Sequence, residues 1–315
     1  MSSHPPQPFL PSSATGTSDQ KLRPVQPLFL ETLEHRRFAE FLESCRLNRS
    51  IGLCYGAPGV GKTLSARHAS HADRVEGFDL LRSEPIYGLP IHTAFVTAAV
   101  VNTSAQVEAG ILAVTEKLAV LARGPLMRQA ERALDTIRLR NENYRWAHAG
   151  SLGARIFEEP PLEPTYSQVI EQFEQRRRLI GDPTSLLVVD EADRLRFNSL
   201  EQVRALYNRG RFGLVLLGMP ELEKRLARYP QLYSLIGFVH EFRPLANAEL
   251  RSLLGTGLLL GCRQSSVEAT AAIARITGGN FRLLDRLLAQ VDRILAINVL
   301  QESRKRQWRR HGRAW

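Results

Sequence analysis

"SIGLCYGAPGVGKTLSARHASHA", residues 50–72, decides how this chain is read. Ile51 to Tyr55 is a short apolar run of the kind that forms a buried strand, and the residues after Lys62 repeat at helical spacing. Between them, Gly56, four residues, then Gly61, Lys62 and Thr63 keep the spacing of a phosphate-binding loop. Glycines at Gly56, Gly59 and Gly61 let backbone N–H groups turn inward on a triphosphate. Lys62 would neutralise its β and γ oxygens, and the Thr63 hydroxyl would hold Mg²⁺. Ala57, Pro58, Val60 and Leu64 complete the candidate nucleotide cradle.

A second stretch answers the first. "SLLVVDEADRL" is an apolar strand, Leu186 to Val189, that ends in Asp190 and Glu191. Carboxylates placed there emerge at the carboxyl edge of a parallel sheet, where such folds bind ligands. Asp190 is expected in the Mg²⁺ shell and Glu191 as the group that orients and deprotonates an attacking water. Asp193 and Arg194 follow on the next turn, placed for either a local ion pair or a nucleotide role.

The rest of the chain supplies the frame. "HTAFVTAAVV" (92–101), "RFGLVLLGMPEL" (211–222) and "FVHEFRPL" (238–245) read as further core strands. Strands alternating with helical patterns predict an α/β fold with a parallel sheet covered on both faces. A helix from Leu28 feeds the first strand, and another follows the second strand with Thr103 or Ser104 as its N-cap. Residues 123–164 read as an insertion-like stretch, one basic helix and then a proline-broken loop ending in "EEPPLEP". "YSQVIEQFEQRRRLIG" is a further amphipathic helix, and from Ala248 onward the pattern is helical. The organisation expected is a flexible leader (1–27), an α/β core (28–247), a small all-helical lid (248–300) and a basic tail (301–315).

Of the 315 residues 43% are hydrophobic, ample for a packed core, and the net charge of +10 points to a polyanionic partner. Six cations and two tryptophans, Trp308 and Trp315, crowd residues 303–315, a composition suited to nucleic acid or an acidic protein surface. Cys45, Cys54 and Cys262 lie far apart, so neither zinc nor a disulfide framework is indicated, and a reducing bacterial cytoplasm is expected. No apolar stretch approaches membrane-spanning length, and residues 1–20 have no secretion pattern.

Taken together, GAPGVGKT, LLVVDEADRLRF, GMPELEKRLARYPQLYS and TGGNFRLLDRLL resemble the AAA+ ATPases, and within them the DNA-transposition regulators of the TnsC, TniB and MuB type. The resemblance covers about Leu28 to Asn298. It implies an AAA+ P-loop core with a helical lid, ATP and Mg²⁺ as ligands, and Arg282 of "GGNFR" as a sensor-2 arginine reaching the γ-phosphate. It further implies a homo-oligomeric ring or filament on duplex DNA that recruits a transposase and answers to a target-selection protein. Lys117, Arg123, Arg128 and Arg132 fall in the region that lines the channel of similar proteins, as candidate contacts to the DNA backbone; basic residues along a helix also simply solvate its face.

Two departures from the family pattern bear on turnover. The fourth strand ends Leu217, Gly218, Met219, with no polar sensor-1 residue, and Leu235 stands where relatives tend to carry an arginine that enters a neighbour's site. Arg225 and Arg228 are candidate substitutes. Slow hydrolysis, timing the life of the assembly, is therefore expected. A replication-initiation or secretion-linked AAA+ ATPase, or a switch that holds ATP without turnover, are the alternatives.

Overall fold

The computed structural model describes residues 29–78, 91–148, 164–255 and 267–297. The leader, the loop ending in "EEPPLE", Cys262 and the basic tail lie outside them. Every element below belongs to the unit Glu31–Trp315.

Helix α1 (Leu33–Asn48) starts at Thr32, whose hydroxyl accepts from the His35 N–H, and leads to β1 (Ile51–Tyr55). The phosphate-loop sequence then opens α2 (Lys62–Ala69), followed by α3 (Ala72–Glu76) and β2 (Thr93–Thr97). Next come α4 (Ser104–His148), α5 (Tyr166–Leu179) and β3 (Leu186–Asp190). A 3₁₀ turn at Ala192–Arg194 joins β3 to α6 (Phe197–Arg209), after which β4 (Gly213–Gly218), α7 (Glu221–Leu226), α8 (Pro230–Tyr233) and β5 (Ile236–Glu241) complete the α/β part. Three helices remain: α9 (Asn247–Gly255), α10 (Val267–Thr277) and α11 (Phe281–Ile297).

All the strand pairs are parallel, in the order β2-β3-β4-β1-β5. β1 and β3 are not neighbours; β4 lies between them, with Leu53 opposite Leu216 and Val188 opposite Val215. Because successive side chains in a strand point to opposite faces, each strand feeds two cores. Leu53, Leu187, Val189, Leu214 and Leu216 join Ile111, Leu118, Leu121, Leu200 and Val203 from α4 and α6. On the other face Cys54, Leu186, Val188, Val215 and Leu217 meet Phe38, Phe41, Leu42 and Cys45 of α1 and Ala66 of α2. The central strands are thus buried on both sides, as their unbroken apolar runs require. The C-terminal helices have a core of their own, built on Leu250, Leu254, Ile273, Leu284, Leu287 and Leu288.

The clearest difference from the sequence reading is α4. Arg123, Gly124 and Pro125 read as the start of an inserted segment, yet one helix of 45 residues runs through them with Pro125 inside. Proline removes an interior hydrogen bond and crowds the preceding turn, so tertiary packing has to outweigh it. Val107, Ile111, Val114, Leu118 and Leu121 supply that packing at alternating spacings of four and three, and Ile137 is buried beyond the proline. α4 packs against β2, α6 and α5, which holds the far half of the helix as well. Thr103 is its N-cap: the hydroxyl accepts from Gln106 N–H, and the Gln106 side chain accepts from Thr103 N–H.

Candidate functional site

The site lies where β1, β3 and β4 end. Gly56, at the exit of β1, is backed so closely by the Phe242 carbonyl that no side chain fits there. The loop turns at Gly59 (φ +80°) and Gly61 (φ +106°), left-handed conformations that favour glycine. Val60 is fully buried and anchors the loop, whereas Ala57, Pro58, Thr63 and Leu64 are exposed. Lys62 Nζ donates to the carbonyls of Gly56 (2.7 Å) and Ala57 (2.9 Å), which holds the ammonium across the mouth of its own loop. Burial pulls that ammonium below the usual lysine range; the nearby carboxylates of Asp190 and Asp193 act in the opposite sense, and the Arg282 guanidinium in the same one.

Asp190 closes β3 and is 2% exposed. Its Oδ1 accepts from the Glu191 N–H (2.9 Å), while Oδ2 is buried and accepts no hydrogen bond. Burial pushes the carboxyl above its ordinary range against the opposing effects of the Thr63 hydroxyl and Lys62. A buried carboxylate oxygen without a donor, beside a threonine hydroxyl on a phosphate loop, is a donor set that fits Mg²⁺. Thr63 and Asp190 are the residues that would hold the ion.

Glu191 follows in a left-handed conformation (φ +53°), which is strained for a residue with a side chain and of a kind concentrated at functional sites. Its Oε2 is paired with the Arg194 guanidinium, which also donates to the Ala98 carbonyl at the end of β2 (3.3 Å). Asn102 Nδ2 in turn donates to the carbonyls of Arg194 and Ala99, both at 3.0 Å, so the segment after β2 and the turn after β3 are stitched together. The ion pair left open for Arg194 is therefore made, and made with Glu191.

Asp193 turns the other way. Its Oδ1 accepts from Met219 N–H (3.3 Å) and lies 2.8 Å from where a Cβ on Gly218 would sit. The end of β4 lacks a polar side chain of its own, and Asp193 brings a carboxylate to it. The signal lay in the "DEADR" run; that it reaches β4 depends on the 3₁₀ turn, which spacing alone does not reveal.

The C-terminal helices complete the site from above. Arg282 is exposed at the start of α11, its backbone N–H donates to the Gly59 carbonyl (3.2 Å), and its charge is felt at Lys62. Asn280, for which the sequence reading sets no role, donates from Nδ2 to the Pro58 carbonyl (2.8 Å). Lys62, Thr63, Asp190, Glu191 and Arg282 are thus gathered around one loop.

Over residues 45–226 the sequence matches the family model of the AAA domain. The chain belongs to that family. A Staphylococcus aureus protein described as a potential ATP-binding protein is 35% identical over 287 residues, which is 87% of this chain and 91% of its own length. Among solved structures, the Aeropyrum pernix ORC2 protein, in its ADPNP–ADP complexes, aligns with a TM-score of 0.51 at 15% identity, covering 90% of this chain and 69% of that one. The Thermotoga maritima RuvB Holliday junction branch migration motor aligns at 0.49 and 14%, covering 88% and 66%. The chain spans about two thirds of the length of these solved chains, and at such identities the ORC2 likeness speaks for the fold alone.

On this AAA domain the candidate DNA contacts are not equivalent. Lys117 Nζ donates to the Glu76 carbonyl at the end of α3 (2.7 Å), Arg123 and Arg128 are half-buried, and Arg132 is exposed. At about 100° per residue, Lys117, Arg128 and Arg132 fall within about 60° of one another around α4, and Arg123 lies about 120° from Lys117. The structure adds a group the sequence reading did not single out: Arg176, Arg177 and Arg178 end α5, and Arg176 reaches Gln129 of α4 (3.4 Å), next to Arg128. Of the candidate substitutes for an arginine at 235, Arg225 donates to the carbonyls of Asp193 and Leu195 in its own chain, which commits its guanidinium. Arg228 is exposed and forms no ion pair among the described residues. Leu235 is 36% exposed.

Proposed function

We propose that this chain is an ATP-dependent regulator of DNA transposition that oligomerises on duplex target DNA and recruits or activates a transposase. The observation that carries the ATP part is the gathering of Lys62, Thr63, Asp190, Glu191 and Arg282 at one sheet edge, the donor-free oxygen of Asp190 included. AAA-domain membership and a 35% identical relative described as potentially ATP-binding support the same nucleotide.

Each residue has a task in this reading. Lys62 leaves the loop carbonyls for the β and γ oxygens, where it neutralises charge. Bound Mg²⁺, held by Thr63 and Asp190, would neutralise the same oxygens. Glu191 turns an attacking water and takes its proton, and Arg282 meets the γ-phosphate from α11. Arg194 occupies the carboxylate that Glu191 needs for this work, which supports slow turnover at rest.

The DNA part rests on the net charge of +10 and on the arginines of the packed pair α4 and α5, Arg128 and Arg132 on one helix and Arg176 to Arg178 on the other, with Arg176 bonded to Gln129 of α4. Backbone tracking by such a surface is tolerant of sequence and weakens steeply with salt. A second reading is favoured by one observation: Leu235 supplies no arginine and Arg225 is committed, so if exposed Arg228 does not serve in its place, a switch that holds ATP without hydrolysing it fits the same geometry.

Electron microscopy of the protein with duplex DNA, with and without a non-hydrolysable ATP analogue, tests the proposal. Rings or filaments on DNA that need the analogue are expected; protein that stays monomeric and ignores DNA under both conditions removes it. Measured phosphate release then separates the two readings.

A further inference from the structure

Asn280 sits between the C-terminal helices and the phosphate loop, in a turn whose position is fixed from several sides. Gly278 (φ +54°) and Gly279 (φ +76°) take the left-handed conformations that end α10. Gly279 O accepts from Leu245 N–H (3.0 Å), and a Cβ on Gly279 would run into the Leu245 carbonyl. Asn280 N–H donates back to Thr277 O (2.9 Å). The turn has little freedom before the side chain of Asn280 is considered.

That side chain does two things at once. Its Oδ1 accepts from the N–H groups of Arg282 (3.1 Å), shared with the Gly59 carbonyl (3.2 Å), and of Leu283 (3.3 Å), which caps α11. Its Nδ2 donates to Pro58 O in the phosphate loop (2.8 Å). One amide orientation satisfies both, with oxygen toward the helix and nitrogen toward the loop. Capping alone does not demand asparagine, since serine, threonine and aspartate cap as well. None of these carries an amide donor able to span the gap to Pro58. Gly59 belongs to the same contact: a Cβ there would lie 2.6 Å from Asn280 Oδ1 and 3.0 Å from Arg282 Cβ.

We propose that Asn280 is a positioning residue of the nucleotide site, latching the first turn of α11 to the Pro58 carbonyl and so setting how far Arg282 reaches over the loop. The proposal rests on the reading of Gly56 to Thr63 as the ATP cradle. Arg282 lies two residues past the latch, on the same rigid turn, so a shift of the latch is carried to its guanidinium. A misplacement of about 1 Å can cost about a hundredfold in rate.

The test uses the full chain and three variants. Asn280→Ser keeps an oxygen for the cap but loses the donor to Pro58; Asn280→Asp caps and cannot donate; Asn280→Ala loses both functions. Thermal melting, the affinity of a fluorescent ATP analogue and single-turnover hydrolysis are read for each. The Ser and Asp variants are expected to melt with the wild type and the Ala variant below it. ATP affinity is expected to fall about five- to twentyfold in Asn280→Ser. In a chain already carrying Arg282→Ala, adding Asn280→Ser is expected to cost little more, because the latch works through Arg282.

Wild-type affinity in Asn280→Ser overturns the latch, as does full additivity with Arg282→Ala. So does a melting loss in Asn280→Ser and Asn280→Asp equal to that of Asn280→Ala, which would mean a purely structural residue. A wild-type chain that binds no ATP analogue overturns the cradle reading itself, and the latch with it.

Discussion

Asp190 shows at a single residue how the site works against the fold. Its buried Oδ2 has no donor, and burial raises the carboxyl above its ordinary value of 3.8, so the charged form is disfavoured in the folded chain. A carboxyl raised in this way contributes stability that is complete below its unfolded range and is lost as pH climbs through the folded value. Asp190→Asn should therefore melt higher than the wild type at pH 7, where the unfavourable buried charge is removed. The gap should close toward pH 4, and the variant should lose Mg²⁺-dependent ATP binding; a neutral-pH melting point at or below wild type would contradict the assignment. At Glu191, replacement by Gln should leave ATP bound and slow hydrolysis by about 10²–10⁴-fold, the usual range for a lost general base. Arg194→Gln frees the Glu191 carboxylate and should speed basal hydrolysis. Both side chains of that pair are 38% exposed, and such pairs are worth about 0.2–1 kcal/mol, so the gain is a few-fold. Lys62, Thr63, Asp190 and Glu191 were legible in the sequence because each is fixed by spacing to a local strand-to-loop transition. The Asn280–Pro58 contact, 222 residues apart, and the commitment of Arg225 to the turn after β3 were not, because only the packed fold brings those atoms together.

At the scale of elements, strands read well and one helix did not. The central strands β1, β3 and β4 announce themselves as apolar runs, and doubly buried strands need nothing more, whereas β5, at the sheet edge, alternates half-buried and exposed residues. α4 reads as broken because Gly124 and Pro125 are poor helix residues locally, while the packing that overrides them comes from β2, α5 and α6, which no local pattern around residue 125 reveals. α6, for which no expectation was set, buries Leu200 and Val203 against the same core. Since proline in a helix interior costs about 3 kcal/mol, Pro125→Ala should raise the melting temperature, measured by circular dichroism with the helix signal unchanged or higher. Thr103→Ala removes the N-cap of α4 and should cost about 1 kcal/mol. Equal melting of wild type and Pro125→Ala would mean that the helix does not run through residue 125.

For the whole molecule, the quantity to measure is the response to salt. If α4 and α5 track the DNA backbone, Arg132→Ala and Arg176→Ala should each weaken binding to unrelated duplexes alike. Each should also lower the slope of log affinity against log salt by about 1. A slope unchanged by both substitutions would place the DNA surface elsewhere. The strand order has a consequence of a different kind. β1, the strand that delivers the phosphate loop, is made first, yet its two partners are β4 and β5, so it gains both neighbours only once Glu241 has left the ribosome. At about 5–20 residues per second that interval lasts roughly 10–40 s. Until β4 emerges the apolar stretch Ile51–Tyr55 has neither partner, and until β5 follows it has one at most, so the yield of active protein in a cell should follow holdase capacity more closely than the stability of the finished molecule.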